Sequence, residues 1–238
     1  MSCNTLLKKI MLNLSKVSTI IVSIRGGENM QKNMVDFYRC CNFKYFGEFG
    51  QREDYPPKFM IGCGGVHAEY VYLILSGRIR QYFANSRGVE KTMLLLSKGD
   101  MFGEVTALQR DMDQVATQTL TKVSVRKIPV AYFEKVLKEN SELSFSMTLM
   151  LTCKIRILMP QIQDASFCNT EERLKNLLLR LSIQQGIPSA HGIRLPRKYT
   201  HEELANMISS TRSTVSRIMK RLGEEGFIRI IDRYIYFP

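Results

Sequence analysis

The sequence predicts an α+β fold in which an antiparallel β domain, one long helix and a C-terminal helical module follow one another. Three observations support this prediction. Short β-rich runs between turn residues fill the first half, and the spacing of apolar residues changes to three and four after Ile128. A capping box then opens a pair of short helices near the C-terminus. A chain of 238 residues has room for about two domains.

The β-rich part extends from Phe43 to about Pro129. Its runs include "YVYLILSG", "RIRQYFA" and "TMLLLS", where several stretches alternate apolar with polar residues. The turns between the runs contain Pro56-Pro57 and Gly64-Gly65. We therefore expect a compact antiparallel β-roll over residues 37–129, preceded by an extension, residues 1–36, whose status is open.

Residues 130–168 predict a long helix that packs on its own β-roll and on a second copy of the chain. The apolar residues of its seam are spaced by three or four, which is what one helix offers another. The seam consists of Phe145, Leu149, Thr152, Ile155, Met159 and Ile162. A homodimer is the simplest consequence. Because an interior proline removes a backbone hydrogen bond, Pro160 predicts a kink or break near residues 156–160.

The charge balance favours a polyanionic partner. The chain has 34 basic and 22 acidic residues, a formal net charge of +12, which suits nucleic acid better than an anionic membrane surface. Lys154 and Arg156 interrupt the most apolar stretch, and polar residues break the N-terminal apolar region that a secretory signal requires. We expect a soluble, cytoplasmic protein that does not enter a membrane. The six cysteines contain no C-x-x-C pair, so neither a metal site nor a disulfide framework is predicted.

The C-terminal residues 169–238 predict three helices and a hairpin. Thr170 and the glutamates after it mark the start of the first helix, and Gly186 marks its end. Thr200 and Glu203 form the capping box of a second helix that runs to about Ile208. A three-residue polar turn and a third helix over about 212–222 complete a helix-turn-helix, and "GFIRIIDRYIYFP" predicts a wing beside it.

The third helix exposes hydroxyl and basic side chains that suit the major groove of DNA. Short hydroxyls can approach base edges or phosphates, and an arginine can bridge both acceptors of guanine. An ordinary solvated basic face is the alternative. The order of capping box, turn, helix and wing favours DNA, as do 12 Lys plus Arg against 5 Asp plus Glu from Arg173 onward. The residues predicted to contact DNA are Thr200, His201, Ser210, Thr211, Arg212, Ser213, Ser216, Arg217 and Lys220.

Residues 43–238 resemble the bacterial Crp/Fnr transcription regulators. The resemblance rests on "SGRIR", "KGDMFGE" and Phe133 in the β-roll, which is like a cyclic-nucleotide-binding domain, followed by the long helix and the winged helix-turn-helix. It implies a dimer that places one recognition helix in each half-site of a near-palindromic promoter, with RNA polymerase as a further candidate partner. Arg212, Ser213 and Arg217 match the family's base-reading positions. Founding members commonly carry glutamate at the position of Ser213, so the half-site that this chain recognises need not be the one that those members prefer.

The resemblance also suggests where an effector would bind and what it would not be. Gly103-Glu104 matches a pair that holds the ribose in cyclic-nucleotide-binding members, but Gln114-Val115 stands where they carry an arginine for the phosphate. Leu158 and Met159 align with the family's adenine-contacting hydroxyls. We therefore expect a small apolar or aromatic effector between Met101, Val115, Leu158 and Met159, rather than a cyclic nucleotide. Alternatively, these residues fill core and Gly103-Glu104 is purely structural.

Other readings of the sequence have less support. No nucleophile elbow, P-loop or metal-ligand cluster indicates an enzyme or a cofactor, and a non-specific DNA-binding protein is the main alternative class. The spacing of Cys40, Cys41 and Cys63 does not suit an iron-sulfur cluster, although a redox role for them is open. Residues 1–29 resemble nothing in the family, and we hypothesise that translation starts at Met30.

Overall fold

The computed structural model describes residues 50–62, 65, 67–86 and 88–238. The expectations on residues 1–36, on a start at Met30 and on Cys40, Cys41 and Cys63 lie outside these residues. The predicted α+β class is confirmed, since a β-roll, long helices and a helix-turn-helix module follow in that order.

The β-roll consists of two four-stranded antiparallel sheets with the orders β1-β8-β3-β6 and β2-β7-β4-β5. Its strands are β1 (Gln51–Tyr55), β2 (Met60–Gly62), β3 (Tyr70–Ser76), β4 (Arg78–Ala84), β5 (Glu90–Ser97), β6 (Met101–Phe102), β7 (Ala116–Thr119) and β8 (Val123–Pro129). A short helix, α1 (Glu104–Gln109), separates β6 from β7. Gly77 joins β3 to β4 at φ +88°, where a Cβ would lie 2.3 Å from the carbonyl oxygen of Lys122. Only glycine fits this turn.

Buried side chains alternate with less buried ones at the start of β3, and the buried ones contribute to the core of the roll. Val71 and Leu73 point inward and pair across the sheet with Ile128 and Arg126 of β8. Val71, Ile128 and the fully buried Phe133 belong to one apolar cluster that also takes in the long helix. The β-roll and the helices after it are therefore joined by a continuous core.

The expected single helix after Pro129 is two helices, α2 (Val130–Glu139) and α3 (Ser141–Phe167). Asn140 separates them with an extended backbone, and its side chain accepts a hydrogen bond from the backbone N–H of Leu143, which caps α3. Of the kink or break predicted near residues 156–160, the break does not occur, because α3 continues through Pro160 to Phe167. An asparagine side chain stabilises a helix start by accepting from one of the free N–H groups there. The chain therefore breaks between α2 and α3 at Asn140, which can cap the second helix.

Helix α3 presents one face to the β-roll and another to solvent. Leu143, Met147 and Met150 are buried against the roll, whereas the apolar seam on the other side is exposed. By length and composition alone α3 could also cross a membrane, so Lys154 and Arg156 do not by themselves exclude a membrane span. Its buried contacts with the roll instead make it a packing helix of this domain.

The C-terminal module contains α4 (Thr170–Gln185), α5 (His201–Ile208) and α6 (Arg212–Glu224), with strands β9 (Ile187–Ser189), β10 (Gly192–Arg194), β11 (Arg229–Ile231) and β12 (Tyr234–Phe237). The strands form one sheet in the order β11-β12-β10-β9. Strands β9 and β10, between α4 and α5, were not predicted from the sequence and extend the sheet of the wing. Leu174, Leu204, Val215 and Leu222 are fully buried in the common core of the three helices.

Candidate functional site

The start of α5 is built as its sequence predicts. The Thr200 hydroxyl accepts a hydrogen bond from the N–H of Glu203 at 3.1 Å, and the N–H of Thr200 donates to the Glu203 carboxylate at 2.8 Å. Arg197 pairs with the same carboxylate at 2.8 Å. Burial would raise the pKa of Glu203, but the Thr200 N–H and Arg197 outweigh it and the pKa is lowered. The exposed Thr200 and half-buried His201 lie at the positive end of α5, where a phosphate is favoured.

The turn between α5 and α6 is fixed by its own polar groups. Ser209 adopts a left-handed conformation at φ 55°, and the N–H of Ser210 donates to the carbonyl of Ala205 at 3.0 Å. The Thr211 hydroxyl caps α6 by accepting from the N–H of Thr214 at 3.2 Å. It also lies 3.0 Å from the hydroxyl of Ser213. Thr211 and Ser213 are therefore both exposed and mutually oriented at the tip of α6.

Helix α6 separates an apolar face from a polar one. Val215, Ile218, Met219 and Leu222 are buried. The exposed face carries Arg212, Ser213, Ser216, Arg217 and Lys220. Neither Arg212 nor Arg217 forms an ion pair with another described residue, and Lys220 lies 3.8 Å from Glu224 in an exposed contact worth little. Arg221 differs, because it is paired with Glu171 of α4.

Two cations beside the wing, Arg194 and Lys198, were missed by the sequence reasoning. The guanidinium of Arg194 lies 4.7 Å from the ring centre of Tyr234, and the Lys198 ammonium lies 5.1 Å from the same ring. Arg229 and Arg233 are exposed on the hairpin itself. The basic composition of "GIRLPRK" is visible in the sequence. The position of these cations beside the wing depends on the pairing of β10 with β12, and β10 was not predicted.

A buried ion pair occupies the region predicted to hold an effector. Gly103 has φ 84° and precedes α1, and the first residue of α1, Glu104, is 1% exposed. Its Oε1 lies 2.7 Å from the Nζ of Lys154 on α3, which is 7% exposed and also donates to the carbonyl of Met101 at 2.7 Å. Among the described groups, Oε2 of Glu104 has no hydrogen-bond partner. Sequence reasoning treated Lys154 only as an interruption of an apolar stretch.

The other residues predicted for the effector pocket are spread over different surroundings. Met101 is fully buried in the core, Val115 and Leu158 are half-buried, and Gln114 is exposed. Met159 is 63% exposed on the seam of α3, to which it was also assigned. A surface depression of about 320 Å³ is formed by Thr106, Arg110, Glu134 and their neighbours. None of the residues predicted for the effector pocket lines it. Arg110 pairs there with Glu134 at 3.1 Å and is turned to solvent.

The six seam residues predicted for dimerisation lie along one side of α3. Phe145, Ile155, Met159 and Ile162 are 65%, 56%, 63% and 62% exposed, so the seam leaves a row of large apolar side chains in contact with solvent. Thr152 is exposed and Leu149 half-buried between them. The seam repeats over the helix without a break at Pro160.

Comparisons with known proteins agree with this architecture. Residues 52–140 match the sequence model of the cyclic nucleotide-binding domain, and residues 172–237 match that of the Crp-like helix-turn-helix domain. The global nitrogen regulator of Nostoc sp. is 32% identical over 173 residues, which cover 72% of this chain and 78% of that protein. The cyclic AMP receptor protein of Thermus thermophilus is 26% identical over 180 residues, or 76% and 80% of the two chains.

A solved structure shares the fold over most of its length. It is a CooA mutant from Carboxydothermus hydrogenoformans, with a TM-score of 0.72 and 22% identity over 86% of this chain and 91% of that one. Together with the two matched domains and the relative at 32% identity, the likeness extends over the β-roll, the long helix and the helix-turn-helix. The chain belongs to the Crp/Fnr family of transcription regulators.

Proposed function

We propose that this regulator is a homodimer that reads a near-palindromic DNA site through α6. The observation that carries the proposal is the exposed face of Arg212, Ser213, Ser216, Arg217 and Lys220, on which the two arginines have no ion-pair partner among the described residues. Because these guanidinium groups are exposed and not engaged in ion pairs with other described residues, they are available to bind the paired acceptors of guanine. The hydroxyls of Thr211 and Ser213, 3.0 Å apart, suit a base edge or a phosphate beside them.

The seam of α3 supports the dimer. Two copies that bury Phe145, Ile155, Met159 and Ile162 against each other would remove these large apolar side chains from water. The spacing of three and four is that of helices packed side by side. A two-fold axis along the seam would also present two α6 helices to successive half-sites of DNA.

The buried Glu104–Lys154 pair supports an effector other than a cyclic nucleotide. Lys154 already neutralises Glu104, and Gln114 and Val115 offer no charge for a phosphate. Arg110 is held by Glu134 and faces solvent. A small apolar or aromatic molecule would instead meet Met101, Val115, Leu158 and Met159. It would switch the dimer only through a different affinity for its two geometries.

The match to the cyclic nucleotide-binding domain and the name of the Thermus relative favour cyclic AMP as a second candidate. Thermal unfolding of the full chain with cyclic nucleotides or with small neutral aromatic compounds separates the two, because a ligand that binds the native state raises the melting temperature. Stabilisation by a cyclic nucleotide alone would overturn our effector assignment. We place the protein in the cytoplasm, with RNA polymerase as a further partner.

Genome-wide capture of bound DNA followed by footprinting tests the proposed function. We expect protection of a symmetric site whose half-sites are separated by about one helical turn, retained in excess competitor DNA. The full chain should sediment as a dimer in the same buffer. Binding that competitor DNA abolishes equally at every sequence would instead make the chain a non-specific DNA-binding protein.

A further inference from the structure

One strand of the β-roll is in direct contact with the first helix of the helix-turn-helix. The carboxylate of Glu90 on β5 accepts a hydrogen bond from the side-chain amide of Asn206 on α5 at 3.0 Å. The next residue, Lys91, donates from its Nζ to the carbonyl of Met207. These four residues, Glu90, Lys91, Asn206 and Met207, form what we call the β5–α5 contact.

The β5–α5 contact is anchored on its β-roll side. Arg80 of the neighbouring strand lies 2.6 Å from the Glu90 carboxylate. Its Nε and Nη2 also donate to Oε1 of Gln118, at 3.0 and 2.7 Å. The guanidinium lies 4.1 Å from the ring centre of Tyr82. The sheet thus fixes the Glu90 carboxylate, so the carboxylate can set the position of the Asn206 side chain.

On the other side, the contact engages the C-terminal end of α5. Lys91 donates to Met207, and Arg173 of α4 donates to the carbonyl of Ile208 at 3.2 Å. The last carbonyls of a helix have no partner within the helix, so side-chain donors at this end satisfy them. The turn to α6 begins at the next residue, Ser209, so fixing this end of α5 also fixes the direction in which α6 leaves it.

The same strand also contacts the long helix. The side-chain amide of Gln161 on α3 donates to the carbonyl of Met93 at 2.9 Å. Within four residues, β5 therefore contacts the seam-bearing helix at Met93 and the helix-turn-helix at Glu90 and Lys91.

We propose that the β5–α5 contact sets the angle of the helix-turn-helix to its own β-roll, and so the spacing of the two α6 helices on two-half-site DNA. This inference rests on the proposed dimeric DNA-binding function. The contact is a positioning device and not a cover over the DNA-binding surface. It uses the C-terminal end of α5, while Thr200 at the other end and the polar face of α6 stay exposed.

The test compares three variants of the full chain. Asn206→Ala removes the amide but leaves the Arg80–Glu90 pair, and Lys91→Met removes the ammonium but keeps most of the aliphatic stem. Lys135→Met, at an exposed position on α2, is the control for loss of one positive charge. Each is measured by hydrogen exchange of the α5 and β5 peptides, and by affinity for DNA with two half-sites or with one.

We expect Asn206→Ala and Lys91→Met to lose exchange protection at both β5 and the end of α5. We expect them to bind two-half-site DNA about tenfold more weakly, with less than about a twofold change on a single half-site, because the orientation must then be fixed on binding. Lys135→Met should match the wild type in exchange. Unchanged exchange in both variants, or equal losses on both DNAs, would overturn the inference. A wild-type chain without a symmetric footprint would instead overturn the proposed function, and the exchange result would still decide whether the contact holds the two elements together.

Discussion

The Nζ of Lys154 lies 2.7 Å from Oε1 of Glu104, and both side chains are almost wholly removed from water. The pair joins the start of α1 in the β-roll to the middle of α3. A buried pair contributes little net stability against an apolar replacement, but loss of one partner leaves a buried charge without compensation. The pair therefore makes the relative position of the roll and the long helix sensitive to a single substitution.

Lys154→Met should lower the free energy of unfolding by about 3–5 kcal/mol, since Glu104 then stays buried without its cation. The double variant Lys154→Met with Glu104→Gln should recover much of that loss, because no charge remains to be buried. Urea unfolding of both variants and of Glu104→Gln measures the coupling in a double-mutant cycle. Additive losses would show that the two side chains do not act as a pair.

The helix-turn-helix was predictable because its signals are local. The capping box of Thr200 and Glu203, the cap at Thr211 and the apolar spacing of α6 each involve residues within one or two turns. The prediction of α5 and α6 is confirmed for this reason. The residues assigned to DNA contact remain a prediction, since exposure alone does not identify a partner.

Contacts between distant residues were not predictable in this way. Glu104 and Lys154 are separated by 50 positions, and Asn206 is 116 positions from Glu90. No sequence period connects such pairs, because they depend on how α3 and α5 pack on the roll. The break at Asn140 is different. Its polar cap signal was present in "KENSEL", but the apolar spacing on either side of it was read as one helix.

Arg217→Ala should weaken binding to the cognate site by about 1–3 kcal/mol and binding to random DNA much less, because a bidentate contact to guanine is lost only at the cognate site. Arg221→Ala is the matched control, since Arg221 lies on the same helix but is paired with Glu171. Titrations at one salt concentration on both DNAs measure the difference. Equal losses on cognate and random DNA would reduce Arg217 to a phosphate contact.

Ile155→Glu should shift the chain from dimer to monomer, because two carboxylates would face each other across an apolar seam. Ala165→Glu adds the same charge at an exposed position on the side of the same helix away from the seam and should leave the dimer intact. Sedimentation over a range of concentrations measures both dissociation constants. The Ile155→Glu chain should also lose the symmetric footprint while keeping its fold. A dimer that survives this substitution would place the interface elsewhere.

The β5–α5 contact should depend on pH through Lys91. Burial, together with the nearby charges of Arg180 and Arg173, lowers the pKa of Lys91 from 10.5 to about 8, and Asp164 opposes part of this shift. When the contact opens and Lys91 reaches water, its pKa returns toward the ordinary value, so the open state binds the proton more tightly. Between about pH 8 and 10.5, closing the contact therefore releases a proton from Lys91. As the pH rises through that window, Lys91 increasingly favours the closed state. Below about pH 8 the lysine is charged in both states, and its contribution is constant and at its least favourable.

Hydrogen exchange of the end of α5 at pH 7.5 and 9.5, corrected for the intrinsic pH dependence of exchange, measures this shift. We expect greater protection at the higher pH in the wild type, because the neutral amine keeps its hydrogen bond to the Met207 carbonyl without the cost of a buried charge. Lys91→Met should abolish the pH dependence, while Lys135→Met should retain it. Protection that falls between the two pH values in the wild type would reverse the sign of the linkage and contradict the prediction.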